Sequence, residues 1–371
     1  MHTLLNMKLT SIALVAITAA VAACSTPSSA PMLPVRGSMD TMKAILYREY
    51  GPPDVLRLED TEKPQLEDDR VLLKVRAAAA NPLDWHYMRG TPYVARIGMG
   101  LRRPKDPRLG SDASGVVVAV GKNVTDFKPG DEVFGIVGGA YAEYARAYPK
   151  NIVVKPANVS FEQAAAVPVA AITALQALRN RGRLQPGQKV LINGASGGVG
   201  TFAVQIAKSF GAEVTGVCST RNVDMVRSIG ADHVIDYTRQ NFTEGTQRYD
   251  VILDTVGNHS LSAFRRVMTP KGIYVGIGGG GPNDGGFLGP LWRPIRMVAY
   301  SPFVRQQFGT FISSVTKEDL TVLKELLETR KVTPVIDRAY TLPEVPAAIR
   351  YLEEGHARGK VIITVEDIDR T

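Results

Sequence analysis

The sequence predicts an α/β protein in which a β-rich domain is followed by a doubly wound parallel sheet. Two stretches of the chain with different patterns predict this fold class. Residues 42–154 contain short apolar strands separated by turn signals such as Lys128-Pro129-Gly130-Asp131. From about Phe161 strands and helices alternate, as in the strand Lys189–Asn193 and the helix Val199–Phe210. Strands that alternate with helices of this length form a parallel sheet covered on both faces.

Composition excludes several classes of protein. The chain has 371 residues, of which 44% are hydrophobic, so it can bury the cores of two domains and is not a disordered chain. Its two cysteines, Cys24 and Cys218, cannot form a disulfide framework or a four-cysteine zinc site. The formal net charge is +8, but the cations are dispersed, so we predict no nucleic-acid partner.

The first domain is predicted to be β-rich. Its expected strands are Lys43–Tyr47, Val71–Val75, Gly115–Val120, Glu132–Ile136 and Ile152–Val154. Ser160 is a candidate N-cap, and Gln163 completes a capping-box pattern with it. The Ala-rich helical run that follows, Ala164–Leu178, is interrupted by Pro168.

The second domain is predicted to alternate strands and helices. Its expected strands are Lys189–Asn193, Glu213–Cys218, His233–Ile235, Val251–Val256, Gly272–Ile277 and Phe311–Val315. Its expected helices are Val199–Phe210, Asn222–Ile229 and Ser260–Met268. The C-terminal part adds a helix over Asp319–Glu328, then the strands Val332–Tyr340 and Lys360–Val365 around a helix near Val345–Glu353.

The N-terminus resembles an export signal. Residues 1–39 contain no acidic residue, and Lys8 precedes an apolar stretch from Leu9 to Ala23. That length is typical of a signal peptide and is short for a membrane span. The stretch ends in Val21-Ala22-Ala23-Cys24, which resembles a bacterial lipobox, so Cys24 is a candidate lipidation site and the protein would be a membrane-anchored lipoprotein. The alternative is a start near Met39 or Met42 and a cytoplasmic protein.

A glycine-rich turn carries the strongest chemical signal. The apolar strand Val190-Leu191-Ile192-Asn193 leads directly into Gly194-Ala195-Ser196-Gly197-Gly198-Val199-Gly200, which opens a helix. Glycines allow a tight turn and a close approach of the backbone to a pyrophosphate, and free N–H groups at the helix start hold the phosphates. The predicted cofactor-binding residues here are Ser196, Gly197, Gly198, Val199 and Gly200. Their position between a strand and an amphipathic helix predicts a dinucleotide site.

The end of the next strand indicates which cofactor binds. In NAD-binding proteins an acidic residue about 20 residues beyond the glycines holds the ribose 2′-hydroxyl. The corresponding segment, Val217-Cys218-Ser219-Thr220-Arg221, has no acid. Ser219 and Arg221 can instead bind a 2′-phosphate, with Tyr237 as a further contact, so we predict NADP(H). Arg221 as a solvated loop residue and Tyr237 as a rim residue remain alternatives, and Cys218 is expected to be buried.

Together these motifs resemble those of one family. The matching segments are Ala79-Ala80-Asn81-Pro82-Leu83-Asp84, Gly110-Ser111-Asp112-Ala113-Ser114-Gly115-Val116-Val117, Pro129-Gly130-Asp131-Glu132-Val133, Tyr141-Ala142-Glu143-Tyr144, Ala164-Ala165-Ala166-Val167-Pro168, Thr173-Ala174, the glycine turn, Gly230-Ala231-Asp232 and Gly359-Lys360-Val361. The chain resembles the medium-chain dehydrogenases/reductases, in particular the zinc-independent quinone oxidoreductase group. The resemblance covers about residues 42–366.

The resemblance implies a Rossmann sheet and a GroES-like β-barrel catalytic domain that is split across the chain. The expected divisions are a leader and tether at residues 1–41, the first part of the barrel at 42–164, the nucleotide-binding domain at 165–317, and the return to the barrel at 318–371. The active site would then lie in the cleft between the domains, over the carboxyl ends of the parallel strands, which agrees with the crevice rule for open sheets.

The resemblance also implies the chemistry. The zinc ligands of the alcohol dehydrogenases are missing from this sequence, so we expect no metal. Without a Lewis acid the oxidation of an alcohol loses its usual driving force, whereas a quinone or an activated enone accepts hydride directly. We therefore expect an NADPH-dependent reductase with a small hydrophobic quinone or enone as substrate, working as a homodimer. The alternatives are an alcohol or aldehyde oxidoreductase and a non-catalytic NADPH-binding redox sensor.

Individual roles carry over by position. Asn81 matches a cleft asparagine, and Asp84 and Tyr87 follow it as candidate catalytic residues, with His86 as an alternative proton donor. Asp84 has a helix cap as its alternative role. Thr173 matches a threonine that contacts the nicotinamide, but its hydroxyl can instead bond its own helix. Asn258 and Gly278, at strand ends, are expected beside the nicotinamide ribose. The apolar loop Phe287–Trp292 is expected to line the substrate site or to pack at a dimer interface.

Overall fold

A computed structural model of the chain describes residues 40–278 and 304–365, together with Met297 and Tyr300. The candidate lipidation site Cys24 and the loop Phe287–Trp292 lie outside these residues. None of the helices within the described ranges has the length and apolar character that crossing a bilayer requires.

The nucleotide-binding half is built on a six-stranded parallel sheet. Its strands are β8 (Lys189–Asn193), β9 (Glu213–Cys218), β10 (His233–Asp236), β11 (Tyr249–Asp254), β12 (Met268–Gly276) and β13 (Gln307–Thr310), in the spatial order β10-β9-β8-β11-β12-β13. The order reverses between β8 and β11, and in such sheets the crevice at the reversal is where ligands bind. The helices that accompany it are α4 (Pro168–Gln176), α5 (Gly198–Ser209), α6 (Val223–Ser228), α7 (Leu261–Arg266) and α8 (Lys317–Glu328).

The other half is a largely antiparallel sheet with the order β14-β15-β3-β4-β5-β7, in which β6 also pairs with β3. Its strands are β3 (Val71–Ala80), β4 (Asp112–Val120), β5 (Glu132–Ile136), β6 (Tyr144–Ala147), β7 (Ile152–Val154), β14 (Ile336–Thr341) and β15 (Lys360–Thr364). A hairpin of β1 (Thr41–Leu46) and β2 (Arg57–Glu62) packs beside it, and its helices are α1 (Pro82–Arg89), α2 (Arg96–Met99), α3 (Phe161–Ala165) and α9 (Val345–Glu353).

The split of this domain is visible in the pairing of β15. This C-terminal strand runs antiparallel to β3, with Val361 opposite Ala80. The chain therefore leaves the first half, builds the parallel sheet, and returns to complete the first sheet. Helix α8 lies between the two halves: Leu320, Leu323 and Leu327 pack in the core of the nucleotide-binding half, while Asn158 Nδ2 donates to the Leu327 carbonyl and Lys317 pairs with Asp126. The boundary predicted at residue 318 remains a prediction.

Two predictions at the centre of the chain have clear outcomes. The capping box is confirmed, since the Gln163 N–H donates to Ser160 Oγ at 3.2 Å and the Ser160 N–H donates to Gln163 Oε1 at 3.0 Å. The strand predicted over Phe311–Val315 is wrong, because β13 ends at Thr310. The Gln176 side chain binds both the N–H and the carbonyl of Ser314, and these are the groups that a strand would offer to its neighbour.

Candidate active site

The glycine turn has the geometry of a phosphate site. Helix α5 starts at Gly198 with Gly197 as its N-cap, directly beyond β8. A Cβ atom at Gly200 would lie 2.0 Å from the Gly194 carbonyl oxygen, so only glycine allows the helix to approach the turn this closely. Gly194 itself has a φ of +88°, which favours glycine. The Val199 side chain packs on the sheet core. The backbone N–H groups of the first helical turn have no partner within the helix, so they can bind an anion.

A buried asparagine that the sequence analysis missed joins the turn to the next strand. Asn222 donates from Nδ2 to Ser196 Oγ and to Ser219 Oγ, both at 3.1 Å. Its Oδ1 atom is buried and has no hydrogen-bond partner among the described residues. An unpaired buried acceptor costs free energy, so this oxygen is the atom of the group that still lacks a hydrogen-bond donor. The only sequence signal was its place at a helix N-terminus.

The residues predicted for the 2′-phosphate lie together. Ser219 follows β9, and Tyr237 follows the neighbouring strand β10, with its N–H donating to the Cys218 carbonyl. Arg221 is exposed and donates from Nη2 to the His356 carbonyl at 3.0 Å. Cys218 is 1% exposed, which confirms the expected burial, and this burial raises the pKa of its thiol to about 11.

A second arginine joins this group from the returning segment. The exposed Arg358 donates from Nη2 to the Arg221 carbonyl at 3.5 Å. The loop that contains His356 and Arg358 therefore lies against the segment that follows β9, and each arginine bonds a backbone carbonyl of the opposite segment. No sequence pattern pointed to Arg358, because the contact joins residues 137 positions apart.

The strand ends beyond the reversal form a second polar cluster. Asn193 donates from Nδ2 to Asp254 Oδ1 at 2.9 Å and to Asn258 Oδ1 at 3.0 Å. Tyr274 donates from its hydroxyl to Asp254 Oδ2 at 2.6 Å. Gly278, with a φ of +62°, is the last described residue of this segment. Asn258 and Gly278 thus follow adjacent strands, and their place beside the nicotinamide ribose remains a prediction.

Thr173 takes the alternative role weighed for it. Its hydroxyl donates to the Val169 carbonyl, one turn earlier in α4, at 2.7 Å. The same oxygen lies 3.0 Å from Ser313 Oγ. The nicotinamide contact implied by the resemblance remains a prediction, and it would require the hydroxyl to bond both its own helix and the cofactor.

Asn81 stands at the centre of a buried polar network in the wall of the cleft. Its Nδ2 group donates to the Ala79 carbonyl at 3.2 Å and to Asp112 Oδ2 at 3.0 Å. Its Oδ1 accepts from Lys360 Nζ at 2.5 Å. Lys360 also lies 3.4 Å from Asp112 Oδ2. All three side chains are buried, so a lysine–aspartate pair holds the amide of Asn81 in one orientation.

Asp84 caps the helix that follows Asn81. Its Oδ2 accepts from the Asn81 N–H and from the Tyr141 hydroxyl, both at 2.7 Å. Its other oxygen, Oδ1, is buried without a hydrogen-bond partner among the described residues. Burial raises the pKa of Asp84 to about 7. The side chain is only 1% exposed, so this geometry fits the helix-cap alternative rather than contact with a substrate.

The two candidate proton donors on α1 differ in accessibility. His86 stacks on Trp85, with ring centroids 3.7 Å apart, and its Nδ1 lies 3.1 Å from the Thr91 carbonyl oxygen. Burial lowers the pKa of His86. Tyr87 is 38% exposed and is the more accessible of the two.

The two halves of the protein meet at the glycine turn. Gly197 forms a parallel bridge with Gly359, and a Cβ atom at Gly198 would lie 3.3 Å from the Lys360 side chain. Asp112 also crosses the boundary, because its Oδ1 accepts from the Val169 N–H at 3.0 Å, at the start of α4. The phosphate site and the Asn81 network are therefore neighbours. Within the described residues no cluster of three or more His, Cys, Asp or Glu side chains is placed to hold a metal ion.

Comparison with known proteins agrees with this architecture. Residues 67–157 match the alcohol dehydrogenase GroES-like domain and residues 229–363 match the zinc-binding dehydrogenase family. The 2-methylene-furan-3-one reductase of Solanum lycopersicum is 35% identical over 339 residues, covering 87% of this chain and 79% of that protein. The mouse NAD(P)H oxidoreductase RTN4IP1 is 33% identical and covers 90% and 93% of the two chains.

A solved structure shows the same arrangement. The quinone oxidoreductase of Coxiella burnetii superposes with a TM-score of 0.78 at 32% identity, over 88% of this chain and all of that one. The chain belongs to the medium-chain dehydrogenase/reductase family. It is an oxidoreductase with the Rossmann and GroES-like halves that this family combines.

Two buried residues for which the sequence predicted no role stand in segments that resemble the family. Asp112 and Lys360 both stand in segments that carried the resemblance, Gly110–Val117 and Gly359-Lys360-Val361. The sequence signal for Lys360 was its position at the start of an apolar strand. A lysine buried there needs a partner, because lysine is rarely buried without one. Its partners lie 248 and 279 positions away in the sequence, so only the fold could identify them.

Proposed function

We propose that this oxidoreductase uses NADPH to reduce a quinone or an activated enone. The observation that carries the proposal is the pair Arg221 and Arg358 beside Ser219, at a strand end that has no acid. Two arginines and a hydroxyl suit a 2′-phosphate, and a carboxylate that would select NAD is missing from Val217–Arg221. An Arabidopsis relative, 35% identical over 341 residues, is named NADPH-dependent alkenal/one oxidoreductase.

The residues present fit this cofactor. The pyrophosphate would bind the N–H groups of Gly198, Val199 and Gly200. A Cβ atom at Gly200 would collide with the Gly194 carbonyl oxygen, so a glycine is needed for this tight turn. The unpaired Oδ1 of Asn222 would accept a hydrogen bond from a ribose hydroxyl. Asn258, Gly278 and Thr173 would border the nicotinamide end.

The chain's own side chains would orient the reaction. When bound, NADPH supplies the hydride. Lys360 and Asp112 form a buried ion pair that fixes the Asn81 side chain beside the glycine turn, so this wall of the site would keep its shape while the cofactor and the acceptor bind. The oxygen of a reduced acceptor would need a proton, and Tyr87, which is 38% exposed, is the candidate donor. The remaining task of the cleft is to hold the acceptor close and exclude water.

An alcohol or aldehyde oxidoreductase is the second candidate. The match to the zinc-binding dehydrogenase family favours it, as does an NAD-dependent alcohol dehydrogenase structure that is 28% identical with a TM-score of 0.74. The two candidates differ in their response to zinc, because alcohol oxidation depends on a Lewis acid and enone reduction does not.

Steady-state and stopped-flow oxidation of NADPH and of NADH tests the proposal. The purified chain is assayed with 1,2- and 1,4-quinones, small enones, aldehydes and alcohols, each with and without added zinc. We expect turnover of quinones or enones with NADPH that zinc does not raise. Tight NADPH binding with no acceptor consumed would favour the redox-sensor alternative, and zinc-dependent alcohol oxidation would favour the second candidate.

The proposed location and assembly are separate questions. A lipid at Cys24 would hold the reductase near membrane quinones, whereas a start near Met39 or Met42 would leave it in the cytoplasm with its NADPH. Mass spectrometry of the mature N-terminus from the native cell distinguishes the two. Light scattering at several concentrations tests the proposed homodimer.

A further inference from the structure

Three large apolar side chains are exposed in the segment that follows α1, residues 93–105, here called the 93–105 segment. Tyr93 is 48% exposed, Ile97 66% and Leu101 70%. Tyr93 and Ile97 are four residues apart in consecutive helical turns, so they share one face, and Leu101 follows the helix end at Gly100. Single exposed apolar residues are ordinary, but three within nine positions form a patch.

The patch lies on a backbone that internal contacts hold in place. The Tyr50 hydroxyl donates to the Gly100 carbonyl at 2.7 Å, and the Lys105 N–H donates to the Met99 carbonyl at 2.8 Å. Arg96 donates to the Arg89 and Gly90 carbonyls. The segment therefore turns its polar backbone groups inward and its apolar side chains outward.

Three exposed cations follow these apolar side chains within the 93–105 segment. Residues 90–105 contain no Asp or Glu. Arg102, Arg103 and Lys105 are exposed, and in the described part of the chain no carboxylate pairs with them. The nearest acid in sequence, Asp106, is engaged by Arg108 at 2.6 Å. Apolar side chains bordered by free cations match the boundary of an anionic bilayer, where the former enter the headgroup layer and the latter contact phosphates.

We propose that the 93–105 segment docks the protein on an anionic lipid surface. Ile97 and Leu101 would insert, and Arg102, Arg103 and Lys105 would bind lipid phosphates. Because α1 connects this segment to Asn81, docking would set the cleft close to the membrane, where apolar acceptors concentrate. The proposal depends neither on a lipid at Cys24 nor on the identity of the substrate, so its failure would leave the proposed reductase activity intact.

A local fluorescence probe tests the docking in the full chain. Ile97→Trp is titrated with vesicles of phosphatidylcholine alone and with vesicles that also contain phosphatidylglycerol, and the spectrum of the wild-type chain, with its two tryptophans, is subtracted. We expect the emission of the new tryptophan to shift to shorter wavelength with the anionic vesicles alone. Val154→Trp, at a 45% exposed position on β7, is the matched control and should not shift.

Charge variants test the second half of the proposal. Arg102→Gln with Arg103→Gln in the Ile97→Trp chain should raise the lipid concentration at half-shift about thirtyfold, at roughly 1 kcal/mol per cation. The control, Lys122→Gln with Lys128→Gln in the same chain, removes the same formal charge from lysines that are paired with Asp68 and Asp131. It should change the lipid concentration at half-shift little. Far-UV circular dichroism and the thermal unfolding midpoint confirm that each variant is folded.

Three results would overturn the proposal. The first is an unshifted emission from Ile97→Trp on vesicles to which the chain is bound, since another segment would then make the contact. The second is an equal effect of the two pairs of charge variants. The third is a shift that appears without vesicles and grows with protein concentration, which would assign the patch to contact between two copies of the chain.

Discussion

The Lys360 ammonium lies 2.5 Å from the Asn81 Oδ1 atom, inside the wall of the cleft. Lys360 comes from the last strand, β15, and Asn81 directly follows β3, its antiparallel neighbour. Burial raises the pKa of Asp112, the third member of the network, and the charge of Lys360 opposes that rise. The late return of the chain thus fixes the orientation of a residue placed near the start of the domain.

Replacement of Lys360 should separate its positioning role from simple stability. In Lys360→Met the carboxylate of Asp112 stays buried without its ion-pair partner, so we expect the free energy of unfolding to fall by about 3–5 kcal/mol. We also expect kcat to fall on the order of a hundredfold as Asn81 loses its fixed orientation, with a smaller change in KM for NADPH. Urea unfolding and steady-state kinetics measure the two effects.

Lys155 offers the matched control. It is also a buried lysine, bonded to the Pro156 and Val159 carbonyls and paired with Glu132 at 3.0 Å. Lys155→Met should destabilise the fold and leave kcat unchanged. A loss of kcat equal to that of Lys360→Met would contradict the positioning role.

The two arginines near Ser219 should determine the preference for NADPH. Arg221→Ala and Arg358→Ala should each weaken NADPH binding by about 10–100-fold, since a hydrogen bond to a charged group contributes roughly 1.5–3 kcal/mol. NADH binding should change little, because NADH has no 2′-phosphate. Fluorescence titration of the reduced nicotinamides gives both affinities. Arg227→Ala, which removes an exposed arginine paired with Asp224 on α6, is the control and should affect neither.

Asp84 should make the stability of the protein depend on pH. Its pKa rises from 3.8 to about 7 on folding, so between these values the native state keeps a proton that the unfolded chain has released. Its contribution to the free energy of unfolding therefore decreases as the pH rises from about 4 to 7. As the pH rises through this range, the free energy of unfolding of Asp84→Asn should therefore increase relative to that of the wild type.

Asp126 provides a control of opposite sign. This exposed carboxylate accepts a hydrogen bond from Lys317, which lowers its pKa. Above about pH 4 the free energy of unfolding of Asp126→Asn should be lower than that of the wild type, because the variant lacks this pair. The two should become equally stable only at lower pH. Denaturation series at several pH values measure both variants. A flat difference for Asp84→Asn between pH 4 and 7 would contradict the assigned titration.

Gly200 should tolerate no side chain. In Gly200→Ala the new methyl group would meet the Gly194 carbonyl oxygen, and overpacking of this kind costs about 1–3 kcal/mol. The displaced helix start should also weaken NADPH binding. Gly138→Ala is the control, because a Cβ there would meet no atom within 4 Å. Thermal unfolding and NADPH titration compare the two, and equal behaviour would contradict the proposed phosphate turn.

The sequence predicted those elements whose signals are local. The strands Glu132–Ile136, Ile152–Val154, Lys189–Asn193 and Glu213–Cys218 match the structure residue for residue. The predicted strand at Phe311–Val315 failed because a side chain from a distant helix, Gln176, took the backbone groups of Ser314.

The sequence by itself determined the glycine turn, the strand and helix that flank it, and the residues at the end of β9, because each depends on neighbours within a few residues. The tertiary structure decided that Asp84 caps a helix, that Thr173 bonds its own turn, that Arg358 bonds the segment after β9, and that Lys360 bonds Asn81. These contacts join strands and loops up to 280 positions apart. Periodicity and capping patterns report local backbone preference, whereas such contacts form only when the returning strand pairs and buries its side chains.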